Sequence, residues 1–201
     1  MMSLSPFASR TLEHEYKASG ILFVDLLPNS NISQVLFALQ PKNKTESQLR
    51  VQILGGRRKD AEDSSSMDTC CRKLTEETRN LIPSSLVDDL HLLYSQGLMR
   101  TQYIPEAKYA LYLVSLEHFT EDQQELLRSL PRKFADSFDQ VDDGGVSSLI
   151  WITIDDLNAS KKSIQVDAGA ETYKLAHFTT IMLRRKALNK FISEVCNEYM
   201  Y

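Results

Sequence analysis

Cysteine is scarce in this 201-residue chain, which contains three: Cys70 and Cys71, which are adjacent, and Cys196 near the C-terminus. This spacing fits neither a disulfide framework nor a zinc site. We therefore expect buried, reduced thiols. Such thiols are typical of a cytoplasmic protein, with the nucleus as the alternative compartment.

Long apolar runs and an excess of positive charge are also missing. No stretch approaches the roughly 18 apolar residues of a membrane span, and the N-terminus MMSLSPFASR lacks the apolar segment of a secretory signal. We therefore expect no membrane partner. The net charge is −4, which argues against a general nucleic-acid coat protein, because such a protein needs a basic face.

The hydrophobic content of 42% is enough for one sizeable core. We expect a single domain over residues 1–201, with an N-terminal extension over 1–15 and a C-terminal helix over 178–199. Hydrophobic patterns predict an α/β fold in which strands and helices alternate. Strands are predicted over 18–27, 34–39, 49–54, 98–104, 108–116 and 147–154.

Two further segments carry specific local signals. Thr120 and Gln123 form a capping-box pattern, which predicts a helix that Pro131 interrupts near Leu130. Residues 161–171 are polar and rich in small residues, and we expect an exposed loop there.

The most informative segment begins at the double glycine Gly55-Gly56, where the predicted strand 49–54 ends. A polar loop follows, and an amphipathic helix comes after it. Positions 73, 76 and 77 share one face of that helix, because their spacing is i, i+3 and i+4. The charged residues of this segment that concern function are Glu62, Arg72, Lys73, Glu76 and Glu77.

This segment resembles the Nudix box, Gly-x5-Glu-x7-Arg-Glu-U-x-Glu-Glu-x-Gly-U, where U is aliphatic. The residues that match are Gly56, Glu62, Arg72, Leu74, Glu76, Glu77 and Leu81 or its neighbour. Only residues 54–82 carry motif evidence, although the order of elements is similar over about 16–195. The resemblance implies an α/β/α sandwich with a mixed central sheet.

The resemblance also implies chemistry. Members of the family hydrolyse a diphosphate linkage with Mg²⁺ or Mn²⁺, and hard carboxylate oxygens hold the ion. By this resemblance Glu62, Glu76 and Glu77 are metal ligands, and Arg72 orients the glutamates. Gly55 and Gly56 let the backbone approach a phosphate closely. Another acid from a later loop often completes the site, and the candidates are Glu106, Glu117, Glu121, Asp142 and Asp143.

Three departures from the pattern bear on catalysis. The spacer between Glu62 and Arg72 has nine residues, Arg79 stands at the family's glycine, and Lys73 stands at a family glutamate. A longer loop costs little free energy, and Asn80 accepts the conformation of a helix exit. Lys73 matters more, because at ~4 Å from a carboxylate its charge is worth about 4 kcal/mol at an effective dielectric of 20. It competes with the metal unless it turns outward.

Two functions follow from the resemblance. The first is a Mg²⁺-dependent pyrophosphohydrolase, impaired by Lys73, that acts on a nucleoside diphosphate linked to another moiety or on a similar substrate. The second is a non-catalytic module that binds a nucleotide, an RNA end or a protein. The third alternative is an unrelated α/β binding protein, in which Arg72, Lys73, Glu76 and Glu77 form ordinary i, i+4 ion pairs on a solvated face.

Overall fold

The computed structural model of the protein describes residues 15–27, 32–42, 48–137, 145–160, 165–168 and 171–184. Its strands are β1 (Ala18–Leu27), β2 (Ile32–Pro41), β3 (Leu49–Gln52), β4 (Leu54–Arg57), β5 (Arg100–Ile104), β6 (Tyr109–Ser115), β7 (Ser148–Thr153), β8 (Gln165–Ala168) and β9 (Glu171–Leu175). Its helices are α1 (Ser66–Glu77), α2 (Ser84–Ser95), α3 (Glu121–Asp136), α4 (Ile154–Ala159) and α5 (His177–Arg184).

The described strands form one mixed sheet, in the order β5-β6-β1-β2-β3-β9-β8, with β4 paired to β1 and β7 paired to β2. The pairs β1–β6 and β3–β9 are parallel, and the other pairs are antiparallel. Both kinds of pairing meet in β1, which lies in the middle of the sheet. The mixed sheet implied by the resemblance is therefore confirmed.

The sheet has a helical layer on each face because its central strands are apolar on both sides. In β1, Ile21 and Phe23 point to the core that α1, α2 and α3 cover. Leu22 and Val24 point to a second core, which includes Leu157 of α4. This alternation follows from the period of two in a strand. The architecture is an α/β/α sandwich, as the resemblance implied.

The strand predicted over 49–54 is divided into two strands. β3 pairs with β2, and β4 pairs with β1, with Ile53 between them. Because the chain changes its partner strand at Ile53, Gly55 comes to lie opposite Gly20 in β1. This change of partner delivers the double glycine to the middle of the sheet.

The prediction that Pro131 interrupts its helix is wrong. The capping box at Thr120 and Gln123 is present, but α3 continues through Pro131 to Asp136. Leu127, Leu130 and Phe134 are all fully buried. Their packing on both sides of the proline offsets the lost backbone hydrogen bond and the ring clash.

The predicted loop over 161–171 is also wrong where the structure describes it. Gln165–Ala168 and Glu171–Leu175 pair as antiparallel strands, and the second strand runs parallel to β3. Val166 and Leu175 are buried in the second core. The composition of the segment did not reveal these strands, because strand formation depends on distant partners.

Some predictions fall on residues that the structure does not describe. The C-terminal helix predicted over 178–199 is described only as α5, and Asp142, Asp143 and Cys196 lie outside the described residues. Among the described residues, no helix has the length and apolar character needed to cross a membrane.

A buried ion pair fastens α3 to the sheet. Asp25 of β1 is fully buried, and Arg128 of α3 donates to it through Nε at 3.0 Å and through Nη2 at 2.9 Å. Gln34 Nε2 of β2 donates to the same carboxylate at 3.2 Å. The Asp25 charge is therefore satisfied both by the neighbouring strand β2 and by α3, which is distant in sequence.

We expect Arg128→Gln to lower the free energy of unfolding by about 2–4 kcal/mol, because the buried Asp25 charge loses its counter-ion. Urea denaturation monitored by circular dichroism measures this change. The matched control is Arg132→Gln on the exposed part of the same helix, which we expect to change stability by less than about 0.5 kcal/mol. Equal effects of the two substitutions would contradict a structural role for the Asp25–Arg128 pair.

Candidate functional site

The glycines at the end of β4 permit an unusually close approach to β1. A Cβ atom on Gly55 would lie 2.4 Å from the Ser19 carbonyl oxygen and 2.5 Å from the Tyr109 hydroxyl. A Cβ atom on Gly56 would lie 2.9 Å from the Cδ and Cε atoms of Lys73. A side chain at Gly55 would therefore displace the backbone of β1, whereas a side chain at Gly56 would displace the Lys73 side chain.

Helix α1 begins with a strong local signal. Ser65 caps it and forms a capping box with Asp68, so that backbone N–H groups at the helix start are satisfied. The apolar face of the helix packs into the first core through Met67, Cys70 and Leu74. With that face fixed, Arg72, Lys73, Glu76 and Glu77 lie on the side of the helix toward β4 and the loop that follows it.

Arg72 is held mainly by Asp63, a residue that the sequence did not single out. Its guanidinium donates to the two Asp63 oxygens at 2.8 and 2.7 Å and to the Arg57 carbonyl at 3.0 Å. Asp63 also accepts hydrogen bonds from the Lys59 backbone at 2.7 Å and from the Thr69 hydroxyl at 2.8 Å. The bonds from Arg72 are the largest cause that holds the pKa of Asp63 well below its usual range.

One sequence signal could have identified Asp63. The spacer from Asp63 to Arg72 has eight residues, so Asp63 is nearer than Glu62 to the family's spacing of seven. Glu62 is instead half exposed, at 54%, and it pairs with Lys59 at 3.1 Å. Its carboxylate approaches Arg72 Nε only to 3.9 Å.

Glu76 is surrounded by cations. Lys73 Nζ lies 2.6 Å from one of its oxygens, and Arg72 Nη1 lies 2.9 Å from the other. Lys59 Nζ is 3.5 Å away. Burial opposes ionisation, but the hydrogen bonds from Lys73 and Arg72 lower the pKa of Glu76 to about 2. The carboxylate is therefore ionised and paired at neutral pH.

Lys73 does not turn outward. Its aliphatic chain passes over Gly56, and its ammonium group reaches Glu76. The side chain is 24% exposed. The ammonium group therefore lies on the helix face where the resemblance implies a cluster of carboxylates.

Glu77 lies apart from these ion pairs. Its Oε2 accepts a hydrogen bond from the Gly55 backbone N–H at 2.7 Å. Burial raises the pKa of Glu77 to about 7, although the Gly55 bond and the charge of Lys73 act in the opposite direction. The structure thus brings the half-buried Glu77 side chain to the double glycine.

We call Arg72 and the five charged side chains around it the charged cluster. It contains three cations and three carboxylates, and their charges balance: Lys59, Arg72, Lys73, Glu62, Asp63 and Glu76. In the part of the chain that the structure describes, no group of three or more His, Cys, Asp or Glu residues is arranged to hold a metal ion. The residues present do not fit a Mg²⁺ ion, because each carboxylate of the charged cluster already has a cationic partner.

Arg79, at the family's glycine, adopts the left-handed conformation with φ 53°, and Asn80 follows with φ 60°. The Arg79 guanidinium lies 4.3 Å above the ring of Phe134 in α3 and donates to the Ser137 carbonyl at 3.2 Å. These contacts offset the conformational cost of a side chain at this position. Arg79 therefore connects the end of α1 to α3.

Comparisons with known proteins give structural similarity only. No protein-family model matches the chain, and no curated protein matches it in sequence. The fold is similar to the Nudix domain of Shewanella oneidensis NrtR complexed with ADP ribose, at 13% identity and a TM-score of 0.42, covering 92% of this chain and 94% of that one.

Two more solved structures are similar at the same level. A Nudix hydrolase from Alicyclobacillus acidocaldarius has 15% identity and a TM-score of 0.43, covering 84% of this chain and 90% of that one. The T. brucei MERS1–RNA complex has 13% identity and a TM-score of 0.39, covering 83% of this chain and 61% of that one. Similarity this low assigns no function, so the proposals below depend on the geometry of the site.

The raised pKa of Glu77 predicts a stability that falls as pH rises. The carboxyl group binds a proton more strongly in the folded protein, with a pKa of about 7, than in the unfolded chain, where its ordinary pKa is 4.5. The contribution of Glu77 to the free energy of unfolding therefore falls by on the order of 3 kcal/mol as pH rises from about 4.5 to about 7. Above pH 7 it does not fall further. We expect Glu77→Gln to remove this dependence and to be the more stable protein at pH 8.

Urea denaturation at a series of pH values measures this effect. Glu121→Gln, at an exposed position at the start of α3, is the matched control and should leave the pH dependence unchanged. If wild type and Glu77→Gln showed parallel pH profiles between pH 4.5 and 7, the raised pKa of Glu77 would be disproved.

The contacts of Arg79 predict different effects for two substitutions. Arg79→Ala removes the contact with Phe134 and keeps the left-handed conformation, so we expect it to lower stability by about 1–3 kcal/mol. Arg79→Gly loses the same contact but relieves the backbone, and we expect it to be about 1 kcal/mol more stable than Arg79→Ala. Urea midpoints measure both, and an alanine variant as stable as wild type would argue against this anchoring role.

Proposed function

We propose that the chain is a Nudix-type module that binds a diphosphate-containing nucleotide, or a similar phosphorylated molecule, without hydrolysing it. The observation that carries this proposal is the 2.6 Å contact between Lys73 Nζ and Glu76. An ammonium group of the chain itself stands where the resemblance implies the charge of a metal ion. We further propose that residues 1–201 form one domain.

The charge balance supports binding over hydrolysis. A Mg²⁺ site requires carboxylate oxygens with free lone pairs and a net negative charge around them. Here Glu76 is neutralised by Lys73 and Arg72, and Asp63 is committed to Arg72. A magnesium ion would have to displace these cations and overcome their charge.

The same arrangement supports an affinity for phosphate groups. A lysine ammonium is a compact cation that neutralises a phosphate without a metal. By the resemblance Gly55 and Gly56 lie at the ligand site, and the space that a Cβ atom would take is filled by Ser19 and Tyr109 at Gly55 and by the Lys73 side chain at Gly56. We propose these two glycines as part of the ligand site, next to Lys73.

A Mg²⁺- or Mn²⁺-dependent pyrophosphohydrolase is the second candidate, and one observation favours it. The pKa of Glu77, raised by burial to about 7, lies in the range that suits a general base at neutral pH. In this candidate Glu76 and Glu77 are catalytic residues that bind the metal, Glu62 is an accessory acid that also binds it, and Arg72 orients the glutamates. It requires Lys73 to leave Glu76.

Phosphate release by the wild-type protein separates the two candidates, and substitution of Lys73 tests the role of its charge. We expect wild-type protein to release no phosphate with Mg²⁺ or Mn²⁺ from nucleoside triphosphates, ADP-sugars, dinucleoside polyphosphates, capped RNA or diphosphoinositol phosphates. A nucleotide from this set should raise its melting temperature equally with and without Mg²⁺. Lys73→Glu restores a carboxylate to the 73/76/77 face, so we expect at least about tenfold tighter Mn²⁺ binding by calorimetry.

The matched control is Lys133→Glu, which makes the same charge change at an exposed position of α3 and should leave Mn²⁺ affinity unchanged. Wild-type turnover of about 1–10³ s⁻¹ at millimolar Mg²⁺, lost in a folded Glu77→Gln variant, would establish the hydrolase and reject the binding module.

A further inference from the structure

A cavity of about 580 Å³ opens where β1 begins and β4 ends. We call it the basic cavity. Its wall is formed by Tyr16, Lys17, Arg57, Arg58, Asp60 and two alanines. The cavity adjoins the charged cluster, because the Arg57 carbonyl accepts the hydrogen bond from Arg72 Nη2.

Arg58 is held in place within this wall. Its guanidinium lies 4.8 Å from the centre of the Tyr16 ring, and its Nη2 donates to the Asp63 carbonyl at 3.4 Å. Asp60 approaches its Nε at 3.3 Å. Tyr16 is itself fixed, since it is 3% exposed and its hydroxyl is bonded to Thr69 at 3.2 Å. A guanidinium ordered in this way loses little entropy when it binds an anion.

Lys17 and Arg57 bring two more positive charges, and both residues are exposed. Neither side chain forms an ion pair with another residue in the described part of the chain. With Arg58 they make three cations among the lining residues, against the single carboxylate of Asp60. The wall therefore has a net charge of about +2, in a protein whose net charge is −4.

We infer that the basic cavity binds the phosphate monoester group of a mononucleotide-sized molecule. This inference rests on the proposed function, because it assigns the place where a phosphorylated ligand is held beside the double glycine. A phosphate monoester carries a charge of about −1.5 to −2 at pH 7, which matches the net charge of the wall. Arginine and lysine recognise such a group through charge-assisted hydrogen bonds.

The size and shape of the cavity favour a small molecule. Its volume lies within the roughly 300–1,000 Å³ that is usual for small-ligand sites and exceeds what a phosphate ion alone needs. Nucleic-acid chains are bound in grooves whose positive charge follows a backbone, whereas these three cations surround a single concavity. The rest of the ligand would occupy the remaining volume.

Isothermal titration calorimetry with the full chain tests the inference. The probes are inorganic phosphate, ribose 5-phosphate and adenosine 5′-monophosphate, with ribose as the uncharged control. We expect ribose 5-phosphate or the nucleotide to bind more tightly than inorganic phosphate, and ribose not to bind. Arg57→Gln should weaken phosphate-ester binding about tenfold, and Lys17→Gln should weaken it about fivefold.

The matched control is Arg132→Gln, which removes the same charge from the exposed surface of α3 and should leave binding unchanged. Melting temperatures establish that each variant is folded. The inference is overturned if none of the three phosphates binds at about 10 mM, if ribose binds as well as ribose 5-phosphate, or if Arg57→Gln and Arg132→Gln have equal effects. Phosphate release from a diphosphate substrate would reject the proposed function. It would not change the comparison of phosphate-ester binding between Arg57→Gln and Arg132→Gln.

Discussion

The contact between α1 and the glycine end of β4 is the constraint on which the rest of the site depends. Gly55 lies against β1 and beneath the Tyr109 hydroxyl, and its backbone N–H is bonded to Glu77. Gly56 leaves room for the Lys73 side chain. Where the helix lies this close to the strand, the Lys73 ammonium group is bonded to Glu76, and the Glu77 carboxyl is half-buried.

The charged cluster joins the loop after β4 to helix α1. Each of its three carboxylates is paired with a cation of the chain. Arg72 on the helix and Asp63 in the loop form the bond between the two elements. A balanced cluster retains its structure without a bound ion, because no excess negative charge remains to be compensated.

The departures from the family pattern have physical counterparts in the structure. The longer loop between β4 and α1 closes on Asp63, which accepts hydrogen bonds from Lys59, Thr69 and Arg72. Arg79 adopts a conformation that favours glycine and compensates through its contact with α3. Lys73 and Arg79, which stand where the pattern has glutamate and glycine, thus both make contacts within the fold.

The sequence alone determined the features that depend on neighbours along the chain. Strand periodicity, the capping box at Thr120 and the face shared by positions 73, 76 and 77 are local, and the α/β order followed from them. Tertiary structure decided the rest. Packing carried α3 through Pro131, and pairing with β3 made a strand of residues 171–175. Asp63 rather than Glu62 became the main partner of Arg72, and Lys73 turned inward. These outcomes depend on contacts between residues that come together only in the folded chain.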